Sequence, residues 1–205
     1  MEQKEKSAGS LKLLGGRLSL DFANTADWHG SDSPVEMLTS YQELVAWSVH
    51  AAILAGEEAN ALIEISKHQP DQASTVLEQV VRLREVIYRI FSTVANGQQP
   101  LDADLAEFNT WLSRTFAQLY IVEKENGFAW DWREAGAALD RMIWPVVKDT
   151  ADLLTSKELD RVRECADGKC GWLFLDTSKN RSRKWCDMKD CGNRAKVRRH
   201  YRRKR

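Results

Sequence analysis

All four cysteines of this 205-residue chain fall near its end, as Cys165-x4-Cys170-x15-Cys186-x4-Cys191. Two like-spaced pairs joined by a short loop are what a tetrahedral cation needs, each pair of sulfurs coming from one tight turn and a hairpin returning the second pair to the first. The spacing therefore predicts one structural Zn2+ held by Cys165, Cys170, Cys186 and Cys191. Two disulfides or an iron–sulfur cluster are the competing readings. The N-terminal stretch MEQKEKSAGS has no apolar h-region, so the expected compartment is the cytoplasm, where thiols stay reduced.

Charge is as unevenly distributed as the cysteines. Lysine plus arginine (30) equals aspartate plus glutamate (30) over the whole chain, yet residues 161–205 carry 16 basic against 5 acidic side chains. The neutral total is a cancellation between an acidic unit and a basic one. The last twelve residues, from Arg194, hold eight of the cations. Such a block repels itself unless a polyanion or an acidic surface neutralises it, and nucleic acid, expected as duplex DNA, is the obvious polyanion. No apolar run approaches the roughly 20 residues of a membrane span, so no membrane partner is expected.

Length and pattern divide the chain into an acidic helical domain over 1–152 and a zinc module over 153–205. The first can bury a core of its own, whereas the second is short of aliphatics and needs its metal as a staple. The expected class is mainly α with small β, an α+β fold: helices with short β-hairpins, then a treble-clef or knuckle-like zinc module ending in a basic helix. Within the first domain, alternation of Leu18, Leu20 and Phe22 with polar or small residues predicts a strand or hairpin over 11–25. Thr39 and Gln42 resemble a capping box for a helix ending at Gly56, and a second helix runs from Glu57 to His68. The strongest pattern, Val76, Val80, Leu83, Ile87, Ile90 and Val94, predicts a helix from Asp71 to Ala95, stopped by Asn96-Gly97. Helices over 102–118 and 133–154 supply its partners, the latter kinked or broken at Pro145.

Asn126-Gly127 predicts a tight hairpin over 119–132. Phe128, Trp130 and Trp132 share one of its faces, either as a helix-on-sheet core with Trp28, Trp47, Trp111 and Trp144 or as the lining of a small-effector pocket. Asp21, Asn24, Thr25, Asp27 and His29 form a polar cluster that caps a helix, closes a turn or contributes to a site. Asp21, Asn24, Trp28, His29, Trp130 and Trp132 are the candidates for a ligand site. No nucleophile elbow, phosphate-binding glycine loop or other catalytic constellation occurs, so no enzyme activity is expected.

In the C-terminal unit, Thr155 and Glu158 predict a capped helix reaching Glu164, Asp167-Gly168 a turn, and residues 171–176 a strand packing Trp172 or Phe174. Asn193 is a plausible N-cap for the basic helix. Candidate nucleic-acid contacts are Arg181, Arg183 and Lys184 before the second cysteine pair, then Asn193, Arg194, Lys196, Arg198, Arg199, His200, Arg202 and Arg203 on the helix. Cations almost all the way round a helix favour phosphate contact over base readout. Lys169, Lys189 and Arg194 lie close enough in sequence to offset the net negative charge of a zinc tetrathiolate. The competing reading of this tail is a solvated or partner-binding arm.

Cys186-x4-Cys191-Gly-Asn-Arg-Ala-Lys-Val-Arg-Arg-His-Tyr201 resembles the CGNR zinc finger, named for Cys191-Gly192-Asn193-Arg194, and Arg161–Ala166 and Gly171–Ser182 fit the same module. Gly15-Gly16, Leu20–Thr25, Leu44, Trp47 and Trp144-Pro145 resemble the ABATE domain, described as a stress-induced transcription regulator. The resemblance implies zinc ligation at all four cysteines and a bacterial, DNA-binding regulator whose acidic domain senses a ligand or forms a homodimer. An uncharacterised enzyme or RNA-binding protein working through the Asp21–His29 cluster, or a zinc-stapled interaction protein, remains the other reading.

Overall fold

The computed structural model describes residues 7–133 and 138–203. Its centre is α4 (Pro70–Ala95), against which α1 (Leu18–Ala23), α2 (Tyr41–His50), α3 (Gly56–His68) and α5 (Asp102–Phe116) pack, while α6 (Trp144–Leu154) packs on α1 and α5. The stripe Val80, Leu83, Ile87 and Ile90 is wholly buried, as its spacing predicts. Pro70 opens α4 at its first turn, where a missing N–H costs nothing, and Gly97 leaves it at φ +72°. The helices expected over 57–68, 71–95 and 102–118 are thus present within one or two residues.

Other elements differ from expectation for identifiable reasons. Residues 18–23 form a helix, not a strand, because the Asp149 carboxylate of α6 accepts from Ser19 N at 2.8 Å and Ser19 Oγ at 2.6 Å. A carboxylate from a distant element caps this short helix, so the cause is tertiary. The cap of α2 is Ser40, accepting from Glu43 N, rather than Thr39; α2 ends at His50, and Gly56 starts α3 instead of ending α2. Pro145 sits in the first turn of α6, so it begins that helix and does not kink it; of the longer helix expected there, residues 134–137 lie outside the described residues.

The hairpin β3 (Leu119–Lys124) and β4 (Gly127–Trp132) pairs Lys124 with Gly127, so its two turn residues are Glu125 and Asn126, one earlier than expected. Its aromatic face is not core. Phe128 is 79% exposed and Trp130 59%, whereas Trp132 packs on Trp144 with ring centroids 5.7 Å apart. Trp47, Trp111 and Trp144 are buried. A second small pair, β1 (Ala26–Asp27) with β2 (Val35–Glu36), precedes α2.

The capped helix expected over 158–164 is a 3-10 turn, Leu159–Arg161, followed by β5 (Val162–Glu164), which pairs with β6 (Leu173–Leu175). Strand pairing of β5 with β6 across the first knuckle overrides the local helix signal. The Asn24 side chain spans Leu173, donating to its carbonyl and accepting from its N–H, both at 2.8 Å, and Leu175 N donates to Gly15 O at 2.7 Å. Val162, Leu173 and Leu175 therefore belong to the same continuous core as α1 and α4. The zinc module is fused to the helical domain by sheet-like bonds and shared burial.

Candidate metal centre and basic helix

The first knuckle is built by backbone closure: Cys165 N donates to Trp172 O and Ala166 N to Lys184 O, each at 2.9 Å, while Gly168 takes φ +73° in the turn. A π-helical turn, Met188–Gly192, carries Cys191, with Cys186 two residues before it and Asp187 accepting from Lys189 N at its start. Arg183 lies 4.2 Å over the Phe174 ring and donates to the carbonyls of Trp185 and Cys186. The four sulfurs are buried, unpaired by disulfides and all within 4.8 Å of one another, with Cys170–Cys186 at 3.6 Å and Cys186–Cys191 at 3.5 Å. A zinc ion at the usual Zn–S distance gives a sulfur tetrahedron with edges of about 3.8 Å. The donors fit.

Four thiols this close resist ionising together. Hydrogen bonding to Cys165 and Cys170 holds the Cys186 thiol far above its ordinary range, and burial, with the charge on Cys165, pushes Cys191 up to about 11. A dication reverses that balance by stabilising every thiolate, so metal binding displaces protons.

α7 (Asn193–Arg203) continues directly from the second pair of cysteines. Asn193 is not its N-cap: its backbone is helical and its side-chain amide donates to Lys189 O at 2.8 Å. The orientation of α7 is set instead by Asp167, whose buried carboxylate is held between Arg194, at 2.8 Å, and Arg198. Arg194 also donates to Cys191 Sγ at 2.8 Å and lies 4.6 Å over the Trp28 ring. One guanidinium thus links a ligand sulfur, the first knuckle and the helical domain.

The basic candidates separate accordingly. Arg183, Arg194 and Arg198 hold the module together, and Arg181 pairs with Asp160 at 2.7 Å. Lys184, Asn193, Lys196, Arg199, His200 and Arg202 are exposed, and among the described residues no ion pair reaches Lys196, Arg199 or Arg202. Arg203 ends the described helix, and Lys204 and Arg205 lie outside the described residues. Among the described side chains, Lys196, Arg199 and Arg202 occupy part of the helix circumference rather than all of it.

The six ligand-site candidates meet different neighbours. Asp21 accepts from Gly15 N at 2.7 Å, and burial pushes its carboxyl up to about 6. Asn24 clamps β6, and Trp28 underlies Arg194. His29 stacks on Tyr88 at 3.5 Å and meets Glu85 at 3.0 Å. Glu85 shares the buried Arg84 with Glu36. Trp130 and Trp132 stand on the hairpin. Sequence reasoning missed Asp167 as an anchor, although a carboxylate inside the first knuckle and two arginines four apart were a readable signal. It also missed Lys12, which bridges Asp187 at 2.8 Å and Asp190 at 2.5 Å and gives no local pattern.

Residues 16–157 match the ABATE family, described as "putative stress-induced transcription regulator", and residues 161–204 match the CGNR zinc finger. The chain belongs to the ABATE family. No curated protein matches it. With a CGNR finger placing four sulfurs in tetrahedral reach, this ABATE protein carries one structural zinc ion. It is a zinc-binding protein of a regulator family, and no helix among the described residues is long and apolar enough to cross a membrane.

Proposed function

We propose that this ABATE protein is a transcription regulator that contacts duplex DNA through the exposed cations of α7, with its helical domain supplying the response to an effector. The supporting observation is the division of labour among the cations. Arg194 and Arg198 are committed to Asp167 and fix the helix, leaving Lys196, Arg199 and Arg202 projecting from a rigid support with no carboxylate paired to them among the described residues. An eleven-residue helix is about 16 Å long, a suitable probe for a major groove. Exposed Val197 and Tyr201 flank the cations and add apolar contact area.

Phosphate contacts of this kind make affinity fall steeply with salt. In a Lys196→Gln/Arg199→Gln variant, affinity for duplex DNA should fall and the slope of log affinity against log salt should decrease by about two, with zinc content and melting temperature unchanged. Comparison with single-stranded DNA and structured RNA distinguishes the duplex from other polyanions. A variant that keeps wild-type affinity and slope would refute the assignment of α7.

A further inference from the structure

Residues 7–15 cross from the helical domain to the zinc module and are held at both ends. At the first end the Glu43 carboxylate of α2 accepts from Ser7 Oγ at 2.8 Å and from Ala8 N at 2.7 Å, and Ala8 is wholly buried. At the other, Gly15 N donates to Asp21 and Gly15 O accepts from Leu175 N of β6, both at 2.7 Å. His50 Nε2 fixes the Leu11 carbonyl at 2.6 Å. Between these anchors Leu11 and Leu14 pack against the cysteine cluster, while Lys12 reaches the second ligand loop. Its ammonium meets Asp187 at 2.8 Å and Asp190 at 2.5 Å, the carboxylates that directly follow Cys186 and directly precede Cys191. One cation therefore ties both ends of that loop to each other and to the helical domain.

We propose that this segment is a strap that gates zinc exchange, with Lys12 as its clasp: metal enters and leaves at an appreciable rate only when residues 11–14 lift from the second ligand loop. Leaving a tetrathiolate requires a sulfur to swing away and a competing ligand to take its place. Two features of the strap oppose those movements. Leu11 and Leu14 form part of the apolar shell that keeps water and foreign ligands from the sulfurs. Lys12 holds Asp187 and Asp190 to one point, so Cys186 and Cys191 cannot spread while the clasp is closed. Asp187 is only 17% exposed, and its pair with Lys12 is screened less than an open surface bridge. Lys12 is a positioning residue whose printed partners are carboxylates, unlike Arg194, which donates to Cys191 Sγ at 2.8 Å. Its loss opens the path without altering a ligand, so exchange quickens in both directions and equilibrium affinity changes little.

The test uses zinc-loaded full-length protein and needs no nucleic acid. Exchange of bound zinc for isotopically labelled zinc gives the rate, and equilibrium competition with a chelator gives the affinity. Lys12→Met should exchange about three- to tenfold faster than wild type, the range expected from losing two partly exposed ion pairs, while its zinc affinity stays within about twofold. Lys12→Arg, which can still span both carboxylates, should restore the slow rate. Amide hydrogen exchange at Leu11 and Leu14 should quicken in Lys12→Met, with α7 unchanged because Asp167 holds it. Exchange at the wild-type rate in Lys12→Met overturns the proposal. So does an affinity that falls in step with the faster release, since Lys12 would then support the ligands themselves rather than a gate. If Lys12→Met does not fold, the salt dependence of wild-type exchange decides: added salt should speed exchange by loosening the clasp, and a rate indifferent to salt is equally decisive against it.

Discussion

Asp21 shows how a single side chain can cost stability and still be placed by the fold. Its carboxylate lies against Gly15 N, where a β-carbon would come within 2.7 Å of the Asp21 amide, and burial raises its pKa to about 6 from 3.8. Between those values the folded chain holds a proton that the unfolded chain has lost. Asp21 therefore lowers stability progressively as pH rises from about 4 to 6, by about 1.4 kcal/mol for each unit of displacement. Asp21→Asn should flatten this part of the stability profile relative to wild type in denaturant melts at successive pH values; parallel profiles would rule out the carboxyl as the source. Asp167 is the opposite case. Its buried carboxylate faces two partly exposed arginines, so Asp167→Ala should cost about 1–3 kcal/mol after allowance for solvent screening. Its specific mark is faster amide hydrogen exchange along α7, which loss of a distant packing residue would not produce.

At the scale of elements, the zinc knuckle and the helical domain touch through backbone. Gly171 sits at φ +70°, and a β-carbon there would lie 2.4 Å from Gly30 N and 3.0 Å from the Tyr88 hydroxyl. Gly171→Ala meets both the conformational and the steric penalty, so it should lower stability by more than about 1 kcal/mol and separate the two backbones. A wild-type melting temperature would contradict this close approach. The long helices α4 and α5 were readable because their apolar residues recur over several turns, and the knuckle because four like residues recur at fixed spacing. α1 was not readable, since the Asp149 that caps it lies in α6. β5 was hidden behind a local capping signal at Thr155–Glu158, which pairing with β6 overrides. On the basic helix, composition revealed the charge but not its division, which depends on Asp167 being buried under α7.

The whole molecule couples its metal to its helical core. Val162, Leu173 and Leu175 are buried among residues of α1 and α4, Asn24 closes on β6, and Leu11 and Leu14 cover the cysteine cluster. A finger on a flexible tether would unfold alone when its zinc is removed. Here removal leaves four crowded thiols, several held well above their ordinary range, and withdraws the support that keeps β6 against α1. Chelation should therefore lower the melting temperature of the helical domain as well as release α7. Because binding displaces thiol protons, zinc affinity should fall as pH falls, and release should be followed by a chromogenic chelator across an acid titration. Near-ultraviolet dichroism of the buried Trp47 and Trp111 surroundings reports the helical core, and helicity reports the whole chain. If the two signals and zinc release share one midpoint, metal, finger and core form one cooperative unit. A core that melts at the same temperature with and without zinc would mean that the shared burial at β5 and β6 contributes little, and that the finger is energetically independent despite its bonds to Asn24 and Gly15.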